Sequence, residues 1–268
     1  MRLTFRFYGL SDVGAVRTNN EDVWAAWPEE GFFALADGMG GHLAGEVAAK
    51  ETVEQVSKVF AERMLALKRR EREEMMRALH ASIESANQWV YQMSRRQKKY
   101  AGMGTTLCCL YWTHEAVVYA HVGDSRIYRW RNQKLDLLTK DHSLLEKWLG
   151  YGKRAQECKT PYPYKHVITK AIGTHSKSDP EIASCSYEPD DLFLLCTDGL
   201  SDVVSAQEMQ EILCKTSNLE EAAEKLIEQS KFKGSSDNIT VLMIQCMPEH
   251  DKNLFRQQLN DSSRSTRL

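Results

Sequence analysis

In the segment Phe32-Phe33-Ala34-Leu35-Ala36-Asp37-Gly38-Met39-Gly40-Gly41-His42, an apolar run ends abruptly on an acid and a glycine-rich turn. Apolar runs of this length that are bounded by turn residues are typical of buried strands. Asp37 is therefore predicted at the end of a strand. The glycines that follow lack a Cβ, so main-chain carbonyls can approach whatever Asp37 binds. We expect a hard cation at this position.

The same pattern recurs along the chain. Asp124 and Asp198 each follow an apolar run, and Asp237 directly precedes one. Carboxylates that cluster repel one another and raise each other's pKa, so a shared site would need cations. Oxygen ligands without His or Cys among them favour Mg²⁺ or Mn²⁺ over Zn²⁺.

Bulk composition is ordinary for a soluble globular protein. The 268 residues carry a formal net charge of −2, which argues against a dedicated nucleic-acid binder. The seven cysteines show no CxxC spacing, which favours a reducing compartment and no zinc site. No run approaches the roughly 18 apolar residues of a membrane span, and the N-terminal residues lack a signal-peptide core. We expect a cytoplasmic protein without membrane partners.

Hydrophobic periodicity predicts a mixed fold with antiparallel sheets. The segment 43–99 is free of proline and has helical spacing of apolar residues, with a break near 67–70. These two helices should cover a sheet. From 104 to 139 several β-rich segments are joined by short links, which favour antiparallel meanders over crossover helices. The pattern indicates an α+β fold and excludes a doubly wound nucleotide-binding fold.

Alternating polar and apolar residues predict an opening strand at 3–10, and a polar loop then leads into the strand predicted at 23–27. This loop carries Arg17, Glu21 and Asp22. If the strand at 23–27 pairs with the one that ends at Asp37, all three side chains enter the same corner of the molecule. His121 lies on an apolar strand and is predicted to be a packed core histidine.

Five short motifs in chain order resemble one family. They are R-x-x-N-E-D (17–22), D-G-M-G-G-H (37–42), G-D-S-R (123–126), D-G-L-S-D (198–202) and S-D-N-I-T (236–240). Together they resemble the metal-dependent Ser/Thr protein phosphatases of the protein phosphatase 2C (PPM) family, in the single-domain form common in bacteria. The resemblance implies a four-layer α/β/β/α sandwich, in which two mainly antiparallel sheets are flanked by helix pairs.

The resemblance also implies a metal centre. Asp37 matches the carboxylate that bridges two cations, Mn²⁺ or Mg²⁺, and the Gly38 carbonyl completes one of the sites. Asp198 and Asp237 match the acids that hold the second ion. Two ions around a shared water would lower its pKa and supply a nucleophile near neutral pH.

Four further roles follow from the same resemblance. Glu21 and Asp22 match acids that lie close to the metals and act partly through coordinated water. Asp124 matches the acid that, with Asp198, holds a weaker third ion in bacterial relatives. Arg17 matches the residue that binds the substrate phosphate, a task suited to its planar guanidinium.

The motif at 37–42 departs from the eukaryotic pattern. Met39 stands where eukaryotic relatives commonly have His, a candidate proton donor to the leaving group, and Met39 cannot donate. His42 is the candidate replacement. Capping or packing at the start of the following helix is the alternative role for His42, and metal-bound water is the alternative proton donor.

The predicted function is hydrolysis of phosphoserine and phosphothreonine in proteins by direct attack of water, opposing a Ser/Thr kinase. The alternatives are an inactive family member that serves as a binding module, and a hydrolase of small phosphate esters. We expect a monomer whose phosphatase catalytic domain spans residues 1–248, followed by a polar, flexible tail at 249–268. The irregular segment 150–166 is predicted as either a substrate-contacting flap or an ordinary surface loop.

Overall fold

A computed structural model of the chain describes residues 4–40, 44–67, 71–149, 167–216 and 218–247. Its strands are β1 (Thr4–Asp12), β2 (Asp22–Trp27), β3 (Phe32–Met39), β4 (Gly104–Thr105), β5 (Leu107–Trp112), β6 (Val117–Val122), β7 (Arg126–Arg131), β8 (Lys134–Leu137), β9 (Glu181–Cys185), β10 (Leu192–Cys196) and β11 (Ile239–Met247). Its α-helices are α1 (Ala44–Ala66), α2 (Arg72–Arg96), α3 (Leu144–Leu149), α4 (Asp198–Ser201), α5 (Ala206–Lys215) and α6 (Leu219–Phe232).

The strands form two antiparallel sheets. The first sheet has the order β1-β11-β10-β7-β8. The second sheet has the order β2-β3-β5-β6-β9, and β4 pairs with the end of β3. This confirms the prediction of antiparallel sheets joined by short links.

Alternation along β3 explains why the opening stretch is apolar on both faces. Phe33 and Leu35 point into the layer between the sheets, where they pack with Phe193 of β10. Phe32 and Ala34 point the other way and pack against α1 and α2. Successive strand residues face opposite sides, so a strand between two apolar layers needs an unbroken apolar run.

Helices cover the outer face of each sheet. The helices α1 and α2 lie on the second sheet, and α5 and α6 lie on the first. The result is the four-layer α/β/β/α sandwich that the family resemblance implies, so the predicted fold class is confirmed. Among the described residues, no helix has the length and apolar character needed to cross a membrane.

Two local features differ from the sequence-based expectation. The strand β1 continues to Asp12 rather than ending at Leu10, because β11 pairs with it along its whole length, as far as Ile239. A single helical turn, α4, follows β10 directly, where no helix was predicted. The predicted flap at 150–166 and the predicted tail at 249–268 lie outside the described residues, and the domain bounds remain a prediction.

Candidate metal centre

Carboxylates from both sheets meet at one end of the sandwich. Asp22 opens β2 and lies opposite Asp37 of β3 in the strand pairing, as expected if the two strands pair. Asp124 follows β6 in the same sheet. From the first sheet, Asp198 follows β10 and begins α4, and Asp237 precedes β11. Chain turns at neighbouring strand ends thus bring together acids that are far apart in sequence.

A cavity of about 670 Å³ opens at this end of the sheets. Its lining includes seven of the nine predicted site residues: Arg17, Glu21, Asp37, Gly38, Asp124, Asp198 and Asp237. Asp22 is buried and does not line the cavity. His42 lies outside the described residues. The structure therefore brings most of the predicted residues to one place, while their chemical roles remain predictions.

The backbone of Asp37 is held on both sides. Its N–H donates to Thr106 Oγ1 at 2.9 Å. Its carbonyl accepts from the Thr106 N–H and from Thr105 Oγ1, each at 2.8 Å. With the backbone fixed, the carboxylate of Asp37 has little freedom to leave the site. Burial raises the pKa of Asp37 well above its usual range, and repulsion from Asp22, Asp198 and Asp124 raises it further.

The glycine after Asp37 is required by a close approach of two backbones. A Cβ on Gly38 would overlap the Gly45 carbonyl near the start of α1. A Cβ on Gly45 would in turn overlap the Glu21 carboxylate. The Gly38 N–H donates to the Glu21 carbonyl at 3.1 Å, which ties β3 to the loop before β2. Only glycine fits at these positions, so main-chain oxygens can come close to the acids.

Asp22 carries an unpaired oxygen in the protein interior. Its Oδ2 accepts from Thr197 Oγ1 at 3.0 Å and from Thr240 Oγ1 at 2.6 Å. Within the described part of the chain, its buried Oδ1 has no hydrogen-bond partner. Burial raises the pKa of Asp22 to about 7, against the two threonine hydrogen bonds, and Asp198 and Asp237 raise it further.

The residues present fit divalent cations. Burial also raises the pKa of Asp124 to about 7, with repulsion from Asp198 and Asp141 as the next causes. The site therefore contains several buried carboxylates that raise each other's pKa, and one of their oxygens, Asp22 Oδ1, is unpaired. These oxygens can act as metal ligands, and among the described residues of the cavity their negative charge is not balanced by an equal number of cationic groups. Hard cations with oxygen ligands would supply that charge.

Arg17 lies at the rim of the cavity and is half exposed. Its Nη2 donates to Asp237 Oδ2 at 2.9 Å. The guanidinium is thus beside the acids and partly open to solvent, so N–H groups other than the one bonded to Asp237 are available to a ligand that enters the cavity. A planar guanidinium can bind two phosphate oxygens at once.

Asn238 fixes the loop that carries Arg17 and Glu21. Its Oδ1 accepts from the Glu21 N–H, and its Nδ2 donates to the carbonyls of Val13 and Asn19, each at 2.9 Å. The side chain is almost fully buried, so these three bonds are shielded from water. Asn238 lies in the motif at 236–240, but no role for it was predicted from the sequence.

The threonines that position the acids were also missed. Thr197 and Thr240 hold Asp22, and Thr106 holds Asp37. All three are fully buried or nearly so. A signal was available, because each is a polar residue inside or next to an otherwise apolar run, and buried hydroxyls are normally hydrogen-bonded.

Comparison with known proteins identifies relatives over most of the chain. The family model described as Protein phosphatase 2C matches residues 15–231. The serine/threonine phosphatase stp of Listeria monocytogenes serotype 4b (strain F2365) is 35% identical over 238 residues, which are 88% of this chain and 93% of that protein. The protein phosphatase PhpP of Streptococcus pneumoniae serotype 2 is 34% identical over 245 residues, which are 90% of this chain and 97% of PhpP.

Solved structures agree with the sequence comparison. The crystal structure of the Mycobacterium tuberculosis serine/threonine phosphatase PstP/Ppp superposes with a TM-score of 0.80 at 31% identity, and the match covers 92% of this chain and all of that one. A structure of the PstP catalytic domain in complex with two manganese ions superposes with a TM-score of 0.77 at 32% identity, with the same coverage.

Proposed function

Since the chain belongs to the protein phosphatase 2C family and is a metal-dependent serine/threonine phosphatase, we propose that the acids at the strand ends bind its Mn²⁺ or Mg²⁺ ions. The observation that carries this proposal is the convergence of Asp37, Asp198 and Asp237 on one cavity. Asp37 and the Gly38 carbonyl would hold two ions, and Asp198 and Asp237 would complete the second site.

The remaining acids act around this pair. Asp124 and Asp198 would share a third, weaker ion, and Glu21 would support the pair from the loop before β2. The unpaired Oδ1 of Asp22 would accept a hydrogen bond from a water molecule bound to the ions, while its Oδ2 is held by two threonine hydroxyls. When bound, the ions would lower the pKa of coordinated solvent and offset negative charge on a phosphate.

Arg17 binds the phosphate group in this mechanism. Its exposed position at the rim would let the guanidinium contact two phosphate oxygens of a substrate that enters the cavity. In phosphoryl transfer the equatorial oxygens carry the charge that must be stabilised, so Arg17 contributes most in the transition state. Direct attack by water needs no covalent phosphoenzyme, and no cysteine is needed as a nucleophile.

The proton donor to the leaving oxygen is assigned from sequence. Met39 lines the cavity and has no proton to give. His42, three residues further on, is the proposed general acid, with solvent as the alternative donor. His42→Ala should remove the basic limb of the pH profile of kcat if His42 is the donor, and should leave that limb unchanged if solvent is.

The substrates are proposed to be phosphoserine and phosphothreonine proteins made by a cognate Ser/Thr kinase. The names of the relatives support this class, since they are serine/threonine phosphatases over nearly their whole length. An inactive binding module is not favoured, because all the predicted acids are present. The protein is further proposed to act as a cytoplasmic monomer.

Release of phosphate from a phosphothreonine peptide tests the proposal. Activity should require Mn²⁺ and disappear with EDTA, and Asp198→Asn should lower it at least about 100-fold. Glu62→Gln, at an exposed position of α1, is the matched control and should behave as wild type. Mn²⁺-independent turnover, or full activity in Asp198→Asn, would refute the metal assignment. A higher kcat/KM for p-nitrophenyl phosphate than for phosphopeptides would favour the small-ester alternative.

A further inference from the structure

Two buried histidines and a glutamate lie together next to the turn that carries Asp124. His121 and His142 stack with ring centroids 4.6 Å apart and planes 16° from parallel. His142 Nε2 is 3.0 Å from Glu181 Oε1. Neither histidine belongs to the proposed metal centre, and the mechanism above gives the group no task.

Hydrogen bonds fix the proton positions on His142. The backbone N–H of Gly123 donates to His142 Nδ1 at 3.1 Å. A backbone N–H can only donate, so Nδ1 must be the unprotonated nitrogen. The proton of the neutral ring therefore lies on Nε2, which donates it to Glu181. Burial and the neighbouring His121 lower the pKa of His142, which favours this neutral form.

The same bonds argue against a second metal site. Ligand atoms of His121, His142 and Glu181 lie within 4.8 Å of one another, which is close enough to consider a cation. To bind it, His142 Nε2 would have to give up its proton to Nδ1, and two N–H groups would then face each other at Gly123. The geometry suits a hydrogen-bond chain from Glu181 through His142 to Gly123.

Gly123 is the residue that this chain immobilises. The bond to His142 is reciprocal, because the backbone N–H of His142 donates to the Gly123 carbonyl at 2.9 Å. Gly123 has a φ of +102°, and a Cβ there would collide with Thr106. Glycine adopts this region without strain but is also the most flexible residue, so its hydrogen bonds to neighbours are what hold the turn in one conformation. The next residue is Asp124, which lines the cavity.

We propose that His142, oriented by Glu181, is a positioning residue that holds the Gly123 turn and thereby aims the Asp124 carboxylate at the weakest cation site. This inference rests on the proposed function, since it assumes that Asp124 binds an ion. Groups that orient metal ligands typically change metal affinity by about 10–100-fold when they are removed.

Two variants of His142 distinguish loss of the hydrogen bond from the Gly123 N–H from loss of the packing of the imidazole ring. His142→Asn places an oxygen acceptor where Nδ1 was, so the bond from Gly123 survives while the bond to Glu181 is lost. His142→Gln keeps a donor within reach of Glu181 but has no acceptor at the δ position. Glu181→Gln keeps an acceptor for His142 Nε2 and is the control for loss of charge.

The primary readout is the affinity of the metal-free protein for Mn²⁺. Mn²⁺ is added in steps, and electron paramagnetic resonance measures the concentration of the ion that stays free. We expect His142→Gln to weaken the weakest site about tenfold. His142→Asn and Glu181→Gln should stay within about threefold of wild type. The amide proton of Gly123, observed by NMR in the metal-free protein, should move upfield in His142→Gln and stay near its wild-type position in His142→Asn. Melting temperatures show whether the variants fold.

The outcomes are distinguishable from failure of the proposed function. Wild-type Mn²⁺ affinity in His142→Gln would overturn the inference, and so would equal losses in His142→Asn and His142→Gln. In both cases Mn²⁺-dependent activity of the wild type would leave the proposed function standing. Absence of any Mn²⁺ binding to the wild type would overturn the proposed function and this inference with it.

Discussion

Asn238 offers the sharpest test of how the site is held together. Replacing it with Leu keeps the size of the side chain and removes three buried hydrogen bonds, to Glu21, Val13 and Asn19. Each such bond contributes about 1 kcal/mol net, so Asn238→Leu should lower the free energy of unfolding by about 3 kcal/mol. If the loop opens locally and its backbone groups reach water, the loss will be nearer 2 kcal/mol.

The same change should affect catalysis. The loop that Asn238 holds carries both Arg17 and Glu21. If the loop is less ordered, the Arg17 guanidinium and the Glu21 carboxylate spend less time in their positions at the cavity. We expect kcat/KM for a phosphopeptide to fall at least about tenfold, which corresponds to about 1.4 kcal/mol of transition-state stabilisation. Urea unfolding and steady-state phosphate release measure the two effects separately.

A second asparagine supplies the control. Asn218 caps α6, where its side chain accepts from the Glu220 N–H at 3.1 Å. Asn218→Ala should cost about 1 kcal/mol of stability and leave kcat/KM unchanged. A stability loss below about 1 kcal/mol in Asn238→Leu, or wild-type kcat/KM at a temperature where this variant is folded, would contradict the role of Asn238 in holding the loop.

Three further predictions concern charge. Arg17→Ala should lower kcat/KM about 10–100-fold, since a hydrogen bond from a charged group contributes about 1.5–3 kcal/mol; unchanged kinetics with a phosphopeptide would remove Arg17 from phosphate binding. The pKa of Asp22 is raised to about 7, so its folded carboxyl keeps a proton that the unfolded chain loses, and stability is lost as the pH rises through 7. Asp22 alone should therefore contribute a loss of about 2 kcal/mol between pH 5.5 and 8 in urea unfolding of the EDTA-treated protein, and Asp22→Asn should lose less than wild type by about that amount; a stability that rises with pH would contradict the raised pKa. Mn²⁺ should raise the Tm more at pH 8 than at pH 6, because protons compete for the ligands; Asp37→Asn should abolish most of this shift, and a wild-type shift in that variant would exclude Asp37 as a ligand.

Local patterns predicted much of the fold. The alternation of Phe32 and Phe33 in β3 and the helical spacing of α1 and α2 are readable from neighbouring residues. The end of β1 was misplaced because polar Ser11 and Asp12 give no strand signal of their own. They are extended because Thr240 and Ile239 of β11 pair with them from more than 200 positions away.

In the site, too, local sequence patterns predicted some residues, while others depend on long-range contacts. The acids could be found because each stands at the end of an apolar run. Their supports could not, because Thr197 and Thr240 become partners of Asp22 only when β2 and the first sheet come together. The tautomer of His142 likewise depends on Gly123, which lies 19 positions earlier in the chain. Long-range hydrogen bonds leave no periodic trace in a sequence.

The distribution of the acids between the two sheets has a mechanical consequence. Asp37 and Asp124 belong to one sheet, and Asp198 and Asp237 belong to the other. Any ion that binds acids from both sheets acts as a crosslink across the apolar layer formed by Phe33, Phe193 and their neighbours. A change in side-chain volume in that layer would alter the separation of the ligands, so affinity for the ion becomes a measure of how far apart the two sheets stand.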